Sequence, residues 1–92
     1  MAISISNLYF RRDSEYETTA YVTIEIEGDK LKLIFIINGN DCYITPEVEG
    51  SFIGRVKKFI LNAYQIFQKN FPDTEKVCYR EIDSVWQFIK LR

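Results

Sequence analysis

The sequence predicts an α+β domain: an antiparallel β-meander of three to four strands, one long amphipathic helix, and a short C-terminal helix. Three observations predict it. Two runs alternate between apolar and polar residues, Ala20–Glu27 and the start of Leu31–Ile37, the period of half-buried strands. Apolar residues then recur at three- and four-residue steps from Phe52 to Phe67, the period of a helix lying on a core. Turn formers and prolines fall between these runs: Gly28-Asp29, Asn38-Gly39-Asn40-Asp41, Pro46 and Pro72.

Ile3 to Arg12 reads as the first strand, β-prone but without clean alternation, and Asp13 to Thr18 as a polar loop. In the second strand Ala20, Val22, Ile24 and Ile26 share one face, and Tyr21, Thr23, Glu25 and Glu27 share a wet one. Gly28-Asp29 suits a type II′ hairpin turn, with glycine at the first central position. In the third strand Leu31, Leu33, Phe35 and Ile37 point inward, while Ile34 and Ile36 make the far end apolar on both faces. This implies a cover there. Asn38-Gly39-Asn40-Asp41 is the strongest turn signal, because Asn and Gly tolerate positive φ. A short fourth strand, Cys42 to Thr45, stops at Pro46.

Glu47 to Gly50 leads to the helix, with Ser51 as its N-cap. Phe52, Val56, Phe59, Ile60, Ala63, Tyr64 and Phe67 form its apolar stripe, with Phe59 expected to be buried against Val22, Ile24 or their neighbours. Arg55, Lys57, Lys58, Asn62, Gln65 and Lys69 lie largely on the other side, and Asn70-Phe71-Pro72-Asp73 ends it. Over residues 74–90, Cys78, Ile82, Val85, Trp86 and Ile89 fit a second helix; a strand over Val77–Ile82 is the alternative.

At 92 residues the chain makes one domain, residues 1–92. Hydrophobic residues at 47% and aromatics at 15% supply the large side chains that so short a chain needs for a core. No apolar run approaches the ~18 residues of a membrane span. The opening Met1-Ala2-Ile3-Ser4 has no basic n-region before an apolar h-region. Cys42 and Cys78 are too few and too far apart for a disulfide framework. Together these point to reduced thiols in a cytoplasmic protein. The net charge of −1 hides an asymmetry: residues 1–50 hold four bases against nine acids, and residues 51–92 hold eight against four. An anionic partner would be met mainly by the second half.

Four places in order resemble the SpoVG family, the stage V sporulation and septation regulators, over about residues 5–67. These are Ile5-Ser6-Asn7-Leu8-Tyr9-Phe10-Arg11-Arg12; Ala20-Tyr21-Val22-Thr23-Ile24; Ile37-Asn38-Gly39-Asn40 with Tyr43-Ile44 and Pro46; and Gly54-Arg55-Val56 with Ile60-Leu61-Asn62 and Tyr64. The resemblance implies a meander capped by one long helix, a homodimer joined through sheet edges, and site-selective binding of DNA or RNA. The chain departs from the family where a long basic segment precedes the helix; here it shrinks to the acidic Glu47-Val48-Glu49-Gly50.

Nothing in the sequence points to an enzyme or to a cofactor. There is no histidine, the commonest general base and zinc ligand. There is no glycine-rich phosphate loop, and Glu25, Glu27 and Asp29 sit on a wet face and its turn. The chemistry on offer is binding. Arg11 and Arg12 at a strand end suit phosphate oxygens, or act as gatekeepers of a sheet edge. Arg55, Lys57 and Lys58 oppose the helix dipole, which hints at an anionic ligand, or serve solubility. Tyr9, Tyr16, Tyr21 and Tyr43 stack bases or pack across strands. Trp86 and the C-terminal tail are core or a protein-binding anchor. Two functions stay open: a SpoVG-like nucleic-acid-binding regulator contacting phosphates through Arg11, Arg12, Arg55, Lys57 and Lys58, and a protein-binding inhibitor or adaptor that kept the scaffold and lost the basic loop.

Overall fold

A computed structural model describes residues 2–91. It contains strands β1 (Ile3–Arg12), β2 (Glu17–Ile26), β3 (Asp29–Asn38) and β4 (Asp41–Thr45), helix α1 (Ile53–Asn70), and strands β5 (Lys76–Ile82) and β6 (Val85–Lys90). The strands form one antiparallel sheet in the order β4-β3-β2-β1-β5-β6. The fold is α+β, with the meander and long helix as expected, but the C-terminal segment is a hairpin and not a helix. It extends the sheet from the β1 side to six strands.

The hairpin turns follow local chemistry. Glu27 and Gly28 both have positive φ, 52° and 89°, between the paired Ile26 and Asp29. This is the type I′ pattern, one residue earlier than the expected turn. The type II′ pattern falls at Gly39-Asn40, where only Gly39 is left-handed, at φ 63°. Asp83 and Ser84, at φ 51° and 66°, make a second type I′ turn between β5 and β6. The β1–β2 loop is shorter than predicted. The Asp13 and Ser14 N–H groups both donate to the Glu17 carbonyl, which starts β2 there.

Register explains the blurred pattern of β1. Ile5 faces Ile24, but Asn7 faces Thr23, so Ser6 is an extra residue in the strand. This bulge flips the parity. Ile3 and Ile5 before it, and Leu8 and Phe10 after it, all reach the helix side of the sheet. There they join Ala20, Val22, Ile24, Leu33, Phe35, Ile37 and Val77. Helix α1 covers this face with Val56, Ile60, Ala63, Tyr64 and Phe67. It starts later than predicted: Phe52 occupies the N-cap position without a side-chain hydrogen bond, because its ring is drawn into the core.

Rings from the C-terminal hairpin extend the core. Phe59 is half-buried where full burial was expected; it packs against the core and on Tyr79 and Trp86, with centroids 6.0 and 5.0 Å away. Phe88 continues the chain of rings to Tyr79 and Phe71. Cys42 and Cys78 lie in strands four spacings apart, roughly 19 Å at the usual inter-strand distance. That is well beyond the ~7 Å Cα separation a disulfide can bridge. Among the described residues no helix is long and apolar enough to cross a membrane.

Candidate nucleic-acid interface

The helix covers one face of the sheet; among the described residues nothing covers the other. The register fixes what that open face presents. One cross-strand row crosses all six strands: Thr45, Ile34, Tyr21, Tyr9, Cys78 and Ile89. Beside it runs a second row of Tyr43, Ile36, Thr19, Arg11 and Lys76. On the other side a third row holds Lys32, Thr23 and Asn7. Arg80, two positions beyond Cys78 in β5, points the same way. The result is an apolar, aromatic band with cations on both flanks.

The band is ordered by its own contacts. Tyr9 and Tyr21 are direct cross-strand partners, and their rings meet edge to face at 5.6 Å and 61°. The Arg11 guanidinium lies 5.5 Å from the Tyr21 centroid. Arg11 Nε donates to Asp13 Oδ1 at 2.7 Å, and the Thr19 hydroxyl donates to Asp13 Oδ2. Burial alone would raise the Asp13 carboxyl, but its bonds from Thr19 and Arg11 outweigh this and hold it below the usual value. Arg11 is thus fixed beside the tyrosines, with part of its charge balanced. Ile34 remains 37% exposed and Tyr43 50% exposed. The cover expected over Ile34 and Ile36 is not there, and the double-sided apolar pattern of β3 marks an open surface.

The five predicted phosphate contacts do not share one face. Only Arg11 lies on the open face. Arg12, next along β1, turns to the helix side. Its Nη1 donates to the carbonyls of Phe71, Pro72 and Thr74 at 3.3, 2.8 and 2.8 Å. Its guanidinium sits 4.6 Å from the Phe67 centroid. Arg12 therefore pins the chain leaving α1 to the end of β1. Arg55 and Lys58 are exposed on α1. Lys57 is half-buried on α1; burial pushes the Cys42 thiol up and the Lys57 charge partly draws it back down. Trp86 is stacked on Tyr79, 5.0 Å between centroids, on the helix side. Tyr16 is exposed in the β1–β2 loop.

Sequence reasoning missed Asn7, Lys32, Lys76 and Arg80 as members of the open face. Lys32 was readable from the alternation of β3. Asn7 was hidden by the bulge, and Lys76 and Arg80 by the helical reading of the tail. Comparison of the chain with models of known families, with characterised proteins and with solved structures finds no match.

Proposed function

We propose that this domain is a nucleic-acid-binding regulator that takes a single strand of DNA or RNA on the open face of its sheet. The observation that carries this reading is the row Ile34-Tyr21-Tyr9 with Lys32 on one flank and Arg11 and Lys76 on the other. Tyr9 and Tyr21 are half-buried and Ile34 and Tyr43 exposed; rings open on one side of a sheet stack unpaired bases, and flanking cations track the backbone. A duplex keeps its base faces inside, so the aromatic band suits single strands. The resemblance to SpoVG regulators points to the same class of ligand. The rival reading, a protein-binding adaptor anchored by Trp86, has less to rest on, because that ring packs against Phe59 and Tyr79.

The test is a salt series of fluorescence-anisotropy titrations with a labelled oligothymidylate. Each phosphate neutralised on a single strand contributes about −0.7 to the slope of log K against log salt. Reversing Lys76 and Arg80 to Glu is expected to flatten the slope by at least about 1.4. Reversing Lys57 and Lys58 to Glu should leave it unchanged, since these lie on the helix. The opposite ranking would move the interface to α1.

The regulator acts as a homodimer in this proposal. A six-stranded open sheet leaves β4 and β6 as edges with unpaired backbone groups, which invite a second copy. Sedimentation equilibrium at micromolar concentration is expected to give twice the chain mass; a monomer alone would contradict it.

A further inference from the structure

Beside the tyrosine pair, the open face carries a cleft of about 360 Å³ lined by Asn7, Tyr9, Tyr21, Thr23, Lys32 and Ile34. This is within the ~300–1,000 Å³ range of small-ligand sites. Asn7 and Lys32 give it N–H donors, and the Thr23 hydroxyl can either donate or accept. The Cys78 thiol donates to Asn7 Oδ1 at 3.0 Å, which turns the oxygen end of the amide toward Cys78 and engages one of its two lone pairs. The two N–H donors on Nδ2 are left for a ligand. Burial pushes the Cys78 thiol above its usual range, so near neutral pH it keeps the proton that it donates. Lys32 adds three donors and no acceptor, and among the described residues the one ion pair is Arg11–Asp13, so its charge is free. Asn7, Thr23 and Lys32 are successive members of one cross-strand row, so these donors converge on one side of the cleft.

A donor-rich site selects a base edge with adjacent acceptors. Guanine presents N7 and O6 side by side, whereas adenine pairs N7 with the N6 donor. Resting on the proposal that the open face binds single-stranded nucleic acid, we infer that this cleft holds one purine of the bound strand and selects guanine over adenine, with Asn7 Nδ2 and Lys32 Nζ as the reading donors. The stacking rings supply affinity for any base; Asn7 supplies the choice.

The test compares short labelled oligothymidylates carrying one central guanine or one central adenine, titrated at ~50 mM salt, where electrostatic binding is strong. Wild type is expected to bind the guanine probe about tenfold tighter. Asn7→Ala should bring the ratio to about one, and its affinity for plain oligothymidylate, measured alongside, separates lost base choice from a general loss of binding. Asn7→Asp should tip the ratio toward adenine, because a carboxylate accepts from N6. Should either variant fail to fold, as judged by circular dichroism, Lys32→Ala at an exposed position decides: the ratio must fall there too. Equal binding of the two probes by wild type, or a ratio that survives Asn7→Ala or Lys32→Ala, overturns the inference while leaving the open-face reading standing. Absence of binding to every probe removes the open-face reading, and this inference with it.

Discussion

Phe67→Ala is expected to cost about 3–5 kcal/mol, the largest stability effect of any single substitution considered for this domain. Phe67 has no exposed surface. Its ring stacks on Phe10 at 5.2 Å and 7°, lies near Tyr64 and Phe71, and carries the Arg12 guanidinium on its face. Truncation opens a cavity where α1, β1 and the chain leaving the helix meet. Small domains lose about 4–8 °C of melting temperature per kcal/mol, so thermal denaturation should show a drop of at least about 12 °C. Arg12→Ala should cost about 2 kcal/mol, since it removes hydrogen bonds from a charged donor to three carbonyls. Arg12→Lys should recover only part of this, because an ammonium lacks the flat fork. The double variant should cost less than the two losses added, because each residue contacts the other. Phe59→Ala, at a half-buried position, should cost less than Phe67→Ala. A Phe67→Ala melting temperature within a few degrees of wild type would contradict this account of the core.

The meander and the helix were legible because each buries one face only. In β2 and β3 the inward residues Ala20, Val22, Ile24, Leu33, Phe35 and Ile37 alternate with outward ones. In α1 the buried positions keep a helical period. The C-terminal hairpin was misread for a physical reason. Cys78, Ile82, Val85 and Ile89 line the open face, and Val77, Tyr79, Trp86 and Phe88 line the helix side, so both faces are apolar and period-two alternation fades. The two-residue turn at Asp83-Ser84 then spaces Ile82, Val85, Trp86 and Ile89 three and four apart, which imitates a helix. The Asp-Ser pair was the available signal, since both residues favour turns.

The candidate site was legible only in pieces. Tyr9, Tyr21 and Tyr43 stood out as possible base-stacking residues, and Arg11 as a phosphate contact. Their assembly on one face depends on the Ser6 bulge and on pairing between distant strands, neither of which local pattern encodes. Arg11 and Arg12 looked equivalent as a basic pair. In a strand they must point to opposite faces, so one joins the tyrosines and the other ties down the helix end.

The measurement that bears most directly on the central claim is the affinity of a Tyr9→Thr/Tyr21→Thr double variant for a labelled oligothymidylate at ~50 mM salt. Threonine keeps the β-propensity of the two strands while removing the rings. Base–aromatic stacking contributes about 1–3 kcal/mol per base. Losing two platforms should therefore weaken binding by about 2–6 kcal/mol, at least roughly 30-fold. The Tyr9→Phe/Tyr21→Phe variant keeps the rings and should bind within a few-fold of wild type, which separates stacking from hydroxyl contacts. Circular dichroism should show both variants folded. Measurable wild-type binding that collapses with the threonines and survives with the phenylalanines is the predicted result. Wild-type affinity retained in the threonine variant, or no wild-type binding at this salt, would contradict the claim that the open face holds nucleic acid.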